Sequence, residues 1–142
     1  MNKVNYRIEL VKSWDTEEIV SLYKEGGWWK DSFDSSLIDR LIVNSFVFAV
    51  VVDSSTGKAI GMGRVISDGV SDAYIQDLVI RSEFRNKGIG TDLVTVLITQ
   101  CQNHDIGWIG LIAQPGSFSL YSRLGFNVMK DHVALLYQRV EK

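Results

Sequence analysis

Arg85-Asn86-Lys87-Gly88-Ile89-Gly90 joins a strand-like apolar run, Ile75 to Ile80, to a helix-like run, Thr91 to His104. N–H groups in the first turn of a helix have no intrahelical acceptor, and the helix dipole adds partial positive charge at the same end. Glycines there let an anion approach the backbone itself, and the stretch adds the two cations Arg85 and Lys87. Strand, turn and helix together predict a cradle for phosphate groups.

Two familiar glycine patterns do not fit. A P-loop carries Lys-Ser/Thr directly after its second glycine, whereas Lys87 precedes both glycines here and Thr91 follows Gly90 with no lysine between. The dinucleotide fingerprint needs a third small residue three places after the second glycine, and Leu93 stands there. Arg-x-x-Gly-x-Gly at a strand-to-helix joint remains. It resembles the acyl-CoA pyrophosphate loop of the GNAT superfamily of N-acetyltransferases.

Length and composition bound the other readings. A chain of 142 residues is expected to be one domain over 1–142, burying roughly two thirds of the surface its unfolded form exposes. Apolar residues at 46% and charged ones at 23% are ordinary for a globular protein, and no segment approaches the ~20 apolar residues of a membrane span. Met1 to Leu10 carries Lys3, Arg7 and Glu9 within its apolar pattern, unlike a signal peptide, so a cytoplasmic location is expected. Cys101 is the single cysteine, and His104 and His132 are the only histidines. That excludes an internal disulfide and leaves little for a metal site. A net charge of −2 argues against nucleic acid, whose backbone calls for clustered cations. The one basic focus, Arg81, Arg85 and Lys87, suits a compact phosphorylated ligand.

Along the chain, Tyr6, Ile8 and Leu10 alternate as a first strand, and Asp15 with Glu18 reads as a capping box opening a helix that Gly26-Gly27 ends. Leu37, Ile38, Leu41 and Ile42 form one face of a second short helix. Phe46 to Val52 and Ala59 to Ile66 make a hairpin around Asp53 to Gly57, and Ala73 to Ile80 follows. Leu93, Val94, Leu97, Ile98 and Cys101 stripe a helix about 25 Å long from Gly88 to His104. Gly107 to Ala113 reads as a buried strand and Phe118 to Leu124 as a helix stopped by Gly125. Phe126 to Met129 and Val133 to Arg139 read as two closing strands. The order predicts an α+β domain with a mixed sheet.

The same order is similar to the GNAT fold. The resemblance implies an α/β/α layered domain, with about four helices on a mostly antiparallel sheet of about seven strands. That sheet splays between the strand before the loop and the strand after the long helix. In that family the splayed strand binds the pantetheine arm of acetyl-CoA through main-chain groups, here those of Leu78, Val79 and Ile80. As side chains, the same three are simply core. The resemblance assigns the thioester carbonyl to the Leu78 N–H, and the pyrophosphate to Arg85, Asn86, Lys87, Gly88, Ile89, Gly90 and Thr91.

Tyr121-Ser122-Arg123-Leu124-Gly125-Phe126 resembles the family's Tyr-x-x-Leu-Gly-Phe signature, in which the tyrosine lies beside the CoA sulfur. A phenol with a pKa of about 10 can protonate a departing thiolate without being ionised at neutral pH. A packing role is the plainer alternative. The amine must lose a proton, and Asp77, beside Leu78, is the candidate base, directly or through water. Its alternative is to satisfy backbone groups or to pair with Arg64. Strand alternation groups Ile75, Asp77 and Val79 on one face, Gln76 and Leu78 on the other. Gln114 falls where family members often have an asparagine for the pantetheine arm, and Ser117 is a candidate helix cap instead.

Trp28 and Trp29, flanked by Glu25, Asp31 and Asp34, lie in the loop that commonly walls the acceptor site in this family. Aromatic faces with nearby carboxylates suit an amine that is both cationic and apolar, and Gly27-Trp28 resembles the loop of arylalkylamine-type acetyltransferases, including plastid serotonin-acetylating ones. Packing of the helix pair is the competing role. Cys101 reads as core, His104 as a partner for the last helix carbonyls and His132 as a turn residue.

The function expected is acetyl transfer from acetyl-CoA to a primary amine of a small molecule by direct attack in a ternary complex, with no metal. Homodimers are common in the family. The alternatives are acetylation of a protein N-terminus or lysine, and a CoA-binding sensor module without catalysis.

Overall fold

The computed structural model describes residues 3–138. Two compact units are distinguished within the chain, Met1–Leu111 and Ile112–Lys142.

The first unit is built on one five-stranded sheet in the order β1-β2-β3-β4-β5. The strands are β1 (Tyr6–Leu10), β2 (Val47–Asp53), β3 (Ala59–Ser67), β4 (Asp72–Ile80) and β5 (Trp108–Gly110). The first four pair antiparallel, and β5 lies parallel to β4. Helices α1 (Thr16–Glu25) and α2 (Ile38–Asn44) connect β1 to β2, and α3 (Ile89–Asn103) connects β4 to β5.

Every residue of β2 from Val47 to Val52 is buried, which requires cover on both faces of the sheet. Phe48, Val50, Val52, Ala59 and Met62 pack with Ile19, Leu22 and Tyr23 of α1 and with Ile38 and Ile42 of α2. The opposite face meets α3: a Cβ built on Gly63 would lie 3.1 Å from Leu97 and 3.6 Å from Leu93. The α3 stripe of Leu93, Val94, Leu97 and Cys101 is buried as its spacing predicts, and Ile89 joins it. Each fully buried aliphatic side chain in these layers contributes roughly 1.5–3 kcal/mol. The α/β/α layering expected of the fold is therefore present in this unit.

Helix α1 starts as its cap predicts, with the Asp15 carboxylate accepting the Glu18 N–H at 3.0 Å. The reciprocal half of a capping box is replaced. Glu18 Oε1 accepts the buried Ala59 N–H at 2.6 Å and the Trp14 indole N–H at 3.3 Å. That acceptor is needed because the β2–β3 register skips Ile60, pairing Val51 with Gly61 and Val52 with Ala59. The bulge takes groups out of the ladder, and buried backbone groups must find partners elsewhere. Arg81 supplies others: its N–H bonds Ile60 O at 2.9 Å and its Nε bonds Ala59 O at 3.1 Å.

In the second unit, α4 (Phe118–Arg123) ends as the sequence predicts. Gly125 takes φ 99°, its N–H bonds Ser122 O at 3.2 Å, and Phe126 N–H reaches back to Tyr121 O at 3.1 Å. These are the two bonds of a Schellman motif, and the accompanying apolar contact is present, with the Tyr121 and Phe126 rings 5.8 Å apart and edge to face. The Leu-Gly-Phe triplet thus has a local physical reason. Ser117 occupies the N-cap position, but its hydroxyl donates to Gln114 O at 2.7 Å rather than capping the helix.

The strand count falls short of expectation. Among the described residues Phe126 to Met129 and 133–138 form no strand, and Arg139 lies outside those residues. Alternating side chains do not make a strand without a hydrogen-bonded neighbour, and β5 is confined to Trp108–Gly110 within the longer apolar run from Gly107 to Ala113.

Candidate functional site

The turn after β4 is shaped by two left-handed residues, Asn86 at φ 62° and Gly88 at φ 82°. Gly88 is the N-cap of α3, with no side-chain cap, and a Cβ there would meet nothing within 4 Å. Asp92 N–H makes the first helical bond, to Gly88 O at 3.2 Å. Among the described residues the N–H groups from Asn86 to Thr91 have no protein acceptor, so the turn presents a concentrated set of donors at the positive end of a helix. It fits a pyrophosphate in donor chemistry and in the space left by the missing Cβ.

The basic focus is smaller than expected. Arg81 is turned into the protein, its Nη1 on Ser21 Oγ at 2.9 Å and its Nε on Ala59 O. Arg85 Nε holds Ile80 O at 2.9 Å, which occupies one of the main-chain groups assigned to the pantetheine arm. Lys87 is exposed. Beyond the turn, Asp92 is bonded by the Tyr6 hydroxyl, and this bond, with burial, pushes the Tyr6 phenol up to about 12.

β4 carries the second feature. It bonds β5 only at Asp72, Ala73 and Tyr74, so from Ile75 onward it has no β5 partner and the sheet opens as the fold expectation requires. On its other edge the ladder pairs Gln76 with Arg64 and Val79 with Met62, so two β4 residues, Asp77 and Leu78, oppose the single Gly63. Asp77 is the left-handed residue of this bulge, at φ 57°. The extra residue overturns the predicted alternation. Val79 now packs with Met62 in the α1 layer. Leu78 approaches the Gly63 Cβ position at 3.2 Å, beside Leu93 and Leu97 of α3. Ile75, paired with Val65, is on the α3 side, so Ile75 and Val79 do not share a face. A bulge shifts the period-2 phase of everything after it.

The Asp77 carboxylate is held within the protein. Its Oδ2 accepts Arg64 Nε at 2.6 Å and the Tyr23 hydroxyl at 2.8 Å. Pairing with Arg64, one of the two roles left open by the sequence, is what the geometry contains. Tyr23 went unnoticed in the sequence. Its signal was there, since a tyrosine on the buried face of α1 beside Ile19 and Leu22 needs a partner for its hydroxyl. Burial, and then the adjacent Asp77 charge, raise the Tyr23 phenol far above its ordinary value.

Tyr23 also anchors the tryptophans. Trp28 lies edge-on at 6.3 Å between ring centroids, Trp29 at 6.4 Å, and Trp29 continues to Phe33 at 5.5 Å. Both tryptophans are half-buried against the α1 layer, so both pack, and the chain of rings ends at the half-exposed Phe33. Two of the flanking carboxylates have local duties. Glu25 Oε1 accepts Ser82 N–H at 3.0 Å. Asp34 caps the turn at Ser36, and those bonds hold its carboxyl below the usual range.

In the second unit Tyr121 is buried and its phenol is pushed up by that burial. Gln114 is exposed, and its carbonyl receives the N–H and hydroxyl of Ser117. Cys101 is buried and its thiol is raised by burial, as suits a core residue. His104 Nδ1 lies 3.0 Å from Gln100 O at the end of α3. Among the described residues no group of three or more His, Cys, Asp or Glu is placed to hold a metal ion, and no helix is long and apolar enough to cross a membrane.

Residues 17–134 match the family model described as an acetyltransferase (GNAT) domain. The chain belongs to the GNAT acetyltransferase family. Among its GNAT relatives, the N-acetyltransferase ycf52 of Pyropia yezoensis is 29% identical over 109 residues, covering 77% of this chain and 63% of that protein. Serotonin N-acetyltransferase 2, chloroplastic, of Oryza sativa subsp. japonica is 28% identical over 80 residues, 56% of this chain and 40% of that one. The chain thus spans less than two thirds of the length of these relatives. A GNAT-family acetyltransferase of Streptococcus pneumoniae TIGR4 shares the fold with a TM-score of 0.80 at 19% identity, covering 96% of this chain and 100% of that chain. GNAT enzymes use acetyl-CoA and act on small-molecule or protein acceptors.

Proposed function

We propose that the protein transfers an acetyl group from acetyl-CoA to a primary amine of a small molecule, by direct attack in a ternary complex. The observation that carries this reading is the pairing of two features on one strand-turn-helix unit. They are the acceptorless N–H groups from Asn86 to Thr91 and, just before them, a β4 edge that has left its β5 neighbour. The first suits a pyrophosphate and the second suits an amide-bearing arm that completes a ladder.

Acetyl-CoA supplies the acetyl thioester. Arg85 to Thr91 bind the pyrophosphate, and main-chain groups of Leu78 and Val79 bind the arm, with Gln114 adding a side-chain amide. Ile80 joins them if Arg85 releases its carbonyl. Leu78 N–H polarises the thioester carbonyl and receives the negative charge that builds on its oxygen. The amine nitrogen forms a bond to the carbonyl carbon, and the carbon–sulfur bond breaks with its electron pair on sulfur. Tyr121 gives its phenolic proton to that sulfur, and burial favours the neutral phenol that this step needs. Asp77, or water ordered by it, takes the proton the amine loses, and an equivalent proton restores Tyr121.

The acceptor favoured is an arylalkylamine. The rings of Tyr23, Trp29 and Phe33 run from the Asp77 carboxylate toward the surface, a combination of aromatic faces and negative charge that suits an aromatic amine. The rice relative, a serotonin N-acetyltransferase, points the same way. A panel of aromatic, aliphatic and peptide amines, assayed for CoA thiol release with acetyl-CoA, tests the reading. Release with arylalkylamines above the rest supports it. Acetyl-CoA binding by calorimetry with no release across the panel would replace it with a binding module.

A further inference from the structure

The β4 bulge is held open by side chains from two other elements. Asp77 adopts φ 57°, a conformation that costs most residues free energy and that aspartate tolerates better than most. Its Oδ2 takes Arg64 Nε from β3 and the Tyr23 hydroxyl from α1, at 2.6 and 2.8 Å. The restraint extends further. Arg64 Nη1 reaches Ser45 Oγ at 3.5 Å, and Ser45, just past α2 and only 3% exposed, donates to Leu41 O at 2.8 Å. Tyr23 is 7% exposed and the Arg64 and Asp77 side chains 17% and 21%, so the network is largely shielded from water. Shielding makes a satisfied polar network stiff.

We infer that Tyr23 and Arg64 are positioning residues, which clamp Asp77 in its left-handed conformation and thereby fix the direction of the Leu78 N–H. The alternative state of β4 is a regular strand, in which Leu78 returns to the ladder and its N–H turns with it. Two donors on one carboxylate oxygen bias the strand against that state. Asp77 then acts through its backbone as well as through its carboxylate, which is also the handle by which α1 and β3 hold it. This rests on the reading that Leu78 N–H polarises the thioester.

The test has a kinetic arm and a spectroscopic arm. With the amine found by the panel and saturating acetyl-CoA, Tyr23→Phe lowers kcat roughly 5-fold with little change in the KM for acetyl-CoA, as expected when an interaction acts in the transition state. Asp77→Gly, which needs no clamp, retains roughly 10-fold more kcat than Asp77→Ala, because only the alanine is strained at this φ. Adding Tyr23→Phe to Asp77→Gly then has no further effect. Equal kcat for Asp77→Gly and Asp77→Ala overturns the inference and leaves Asp77 with its role in proton transfer alone. The spectroscopic arm needs no activity. The Leu78 amide resonance of isotope-labelled protein shifts in Tyr23→Phe and stays in place in Tyr6→Phe. An unmoved Leu78 resonance overturns the inference, whereas a wild-type protein that acetylates no amine, with the resonance shift intact, overturns only the enzymatic reading.

Discussion

Replacing Gly88 by alanine separates the stability of the loop from its proposed duty. Gly88 sits at φ 82°, and a Cβ built on it meets no atom within 4 Å. The cost of Gly88→Ala in the free protein is therefore backbone strain alone, about 1 kcal/mol, or a fall in Tm of about 4 °C for a domain of this size. Gly57, in the turn between β2 and β3, provides the control. It has φ 72° and equally open space, so Gly57→Ala should lower Tm by about the same amount. The two differ in what their open space is for. At Gly88 the added methyl stands among the N–H donors of Asn86 to Thr91, where a pyrophosphate would approach the backbone. Calorimetric titration with acetyl-CoA should show Kd raised at least tenfold in Gly88→Ala, about 1.4 kcal/mol, and unchanged in Gly57→Ala. Equal affinities in the two variants, with equal losses of Tm, would refute the assignment of this turn to the cofactor.

Three further outcomes are expected. Tyr121→Phe should lower kcat by roughly 10²-fold or more while leaving acetyl-CoA affinity nearly unchanged; unchanged turnover at saturating substrate removes Tyr121 from the mechanism. Glu18→Ala strands the Ala59 N–H, 1% exposed, and should cost about 1–3 kcal/mol in urea unfolding, with Glu18→Gln costing less because its amide oxygen still accepts. At high pH the tyrosines dominate. Tyr6, Tyr23 and Tyr121 all have phenols raised in the folded state, so their contribution is complete below the unfolded value of about 10 and is lost as pH rises through the folded values. Tm measured across that range, alongside tyrosinate absorbance, should fall on the alkaline side before absorbance reaches its plateau.

Elements that bury themselves by their own periodicity were legible in the sequence. The α3 stripe, the continuous run of β2 and the hairpin around Gly57 follow from spacing and turn chemistry, and Gly125 marks the end of α4 because only a left-handed residue completes that motif. The glycine turn was legible for the same reason. What escaped is whatever depends on neighbours distant in sequence. Phe126 to Met129 has a strand's alternation, yet a strand exists only where another backbone bonds it. The bulge at Asp77 was invisible because alternation has no place for an extra residue, and nothing in Gln76-Asp77-Leu78 announces one. Glu18 looked like half of a capping box until the skipped residue in β3 supplied a more demanding partner. Arg81 looked like a ligand cation until that same bulge claimed it.

The additional residue in β4 uncouples the two halves of the strand: Ile75 lies on the α3 side, whereas Val79, four places on, lies on the α1 side. Deleting Asp77 would remove a carboxylate yet leave Leu78 opposite Gly63 and Val79 opposite Met62, because the residue lost is the one the ladder already passes over. Straightening the strand at full length would do the reverse, keeping every residue and sending Val79 toward α3 and Leu78 toward α1. Asp77 is thus the one position in β4 where a shorter chain keeps the packing on both faces and a regular strand of the same length loses it.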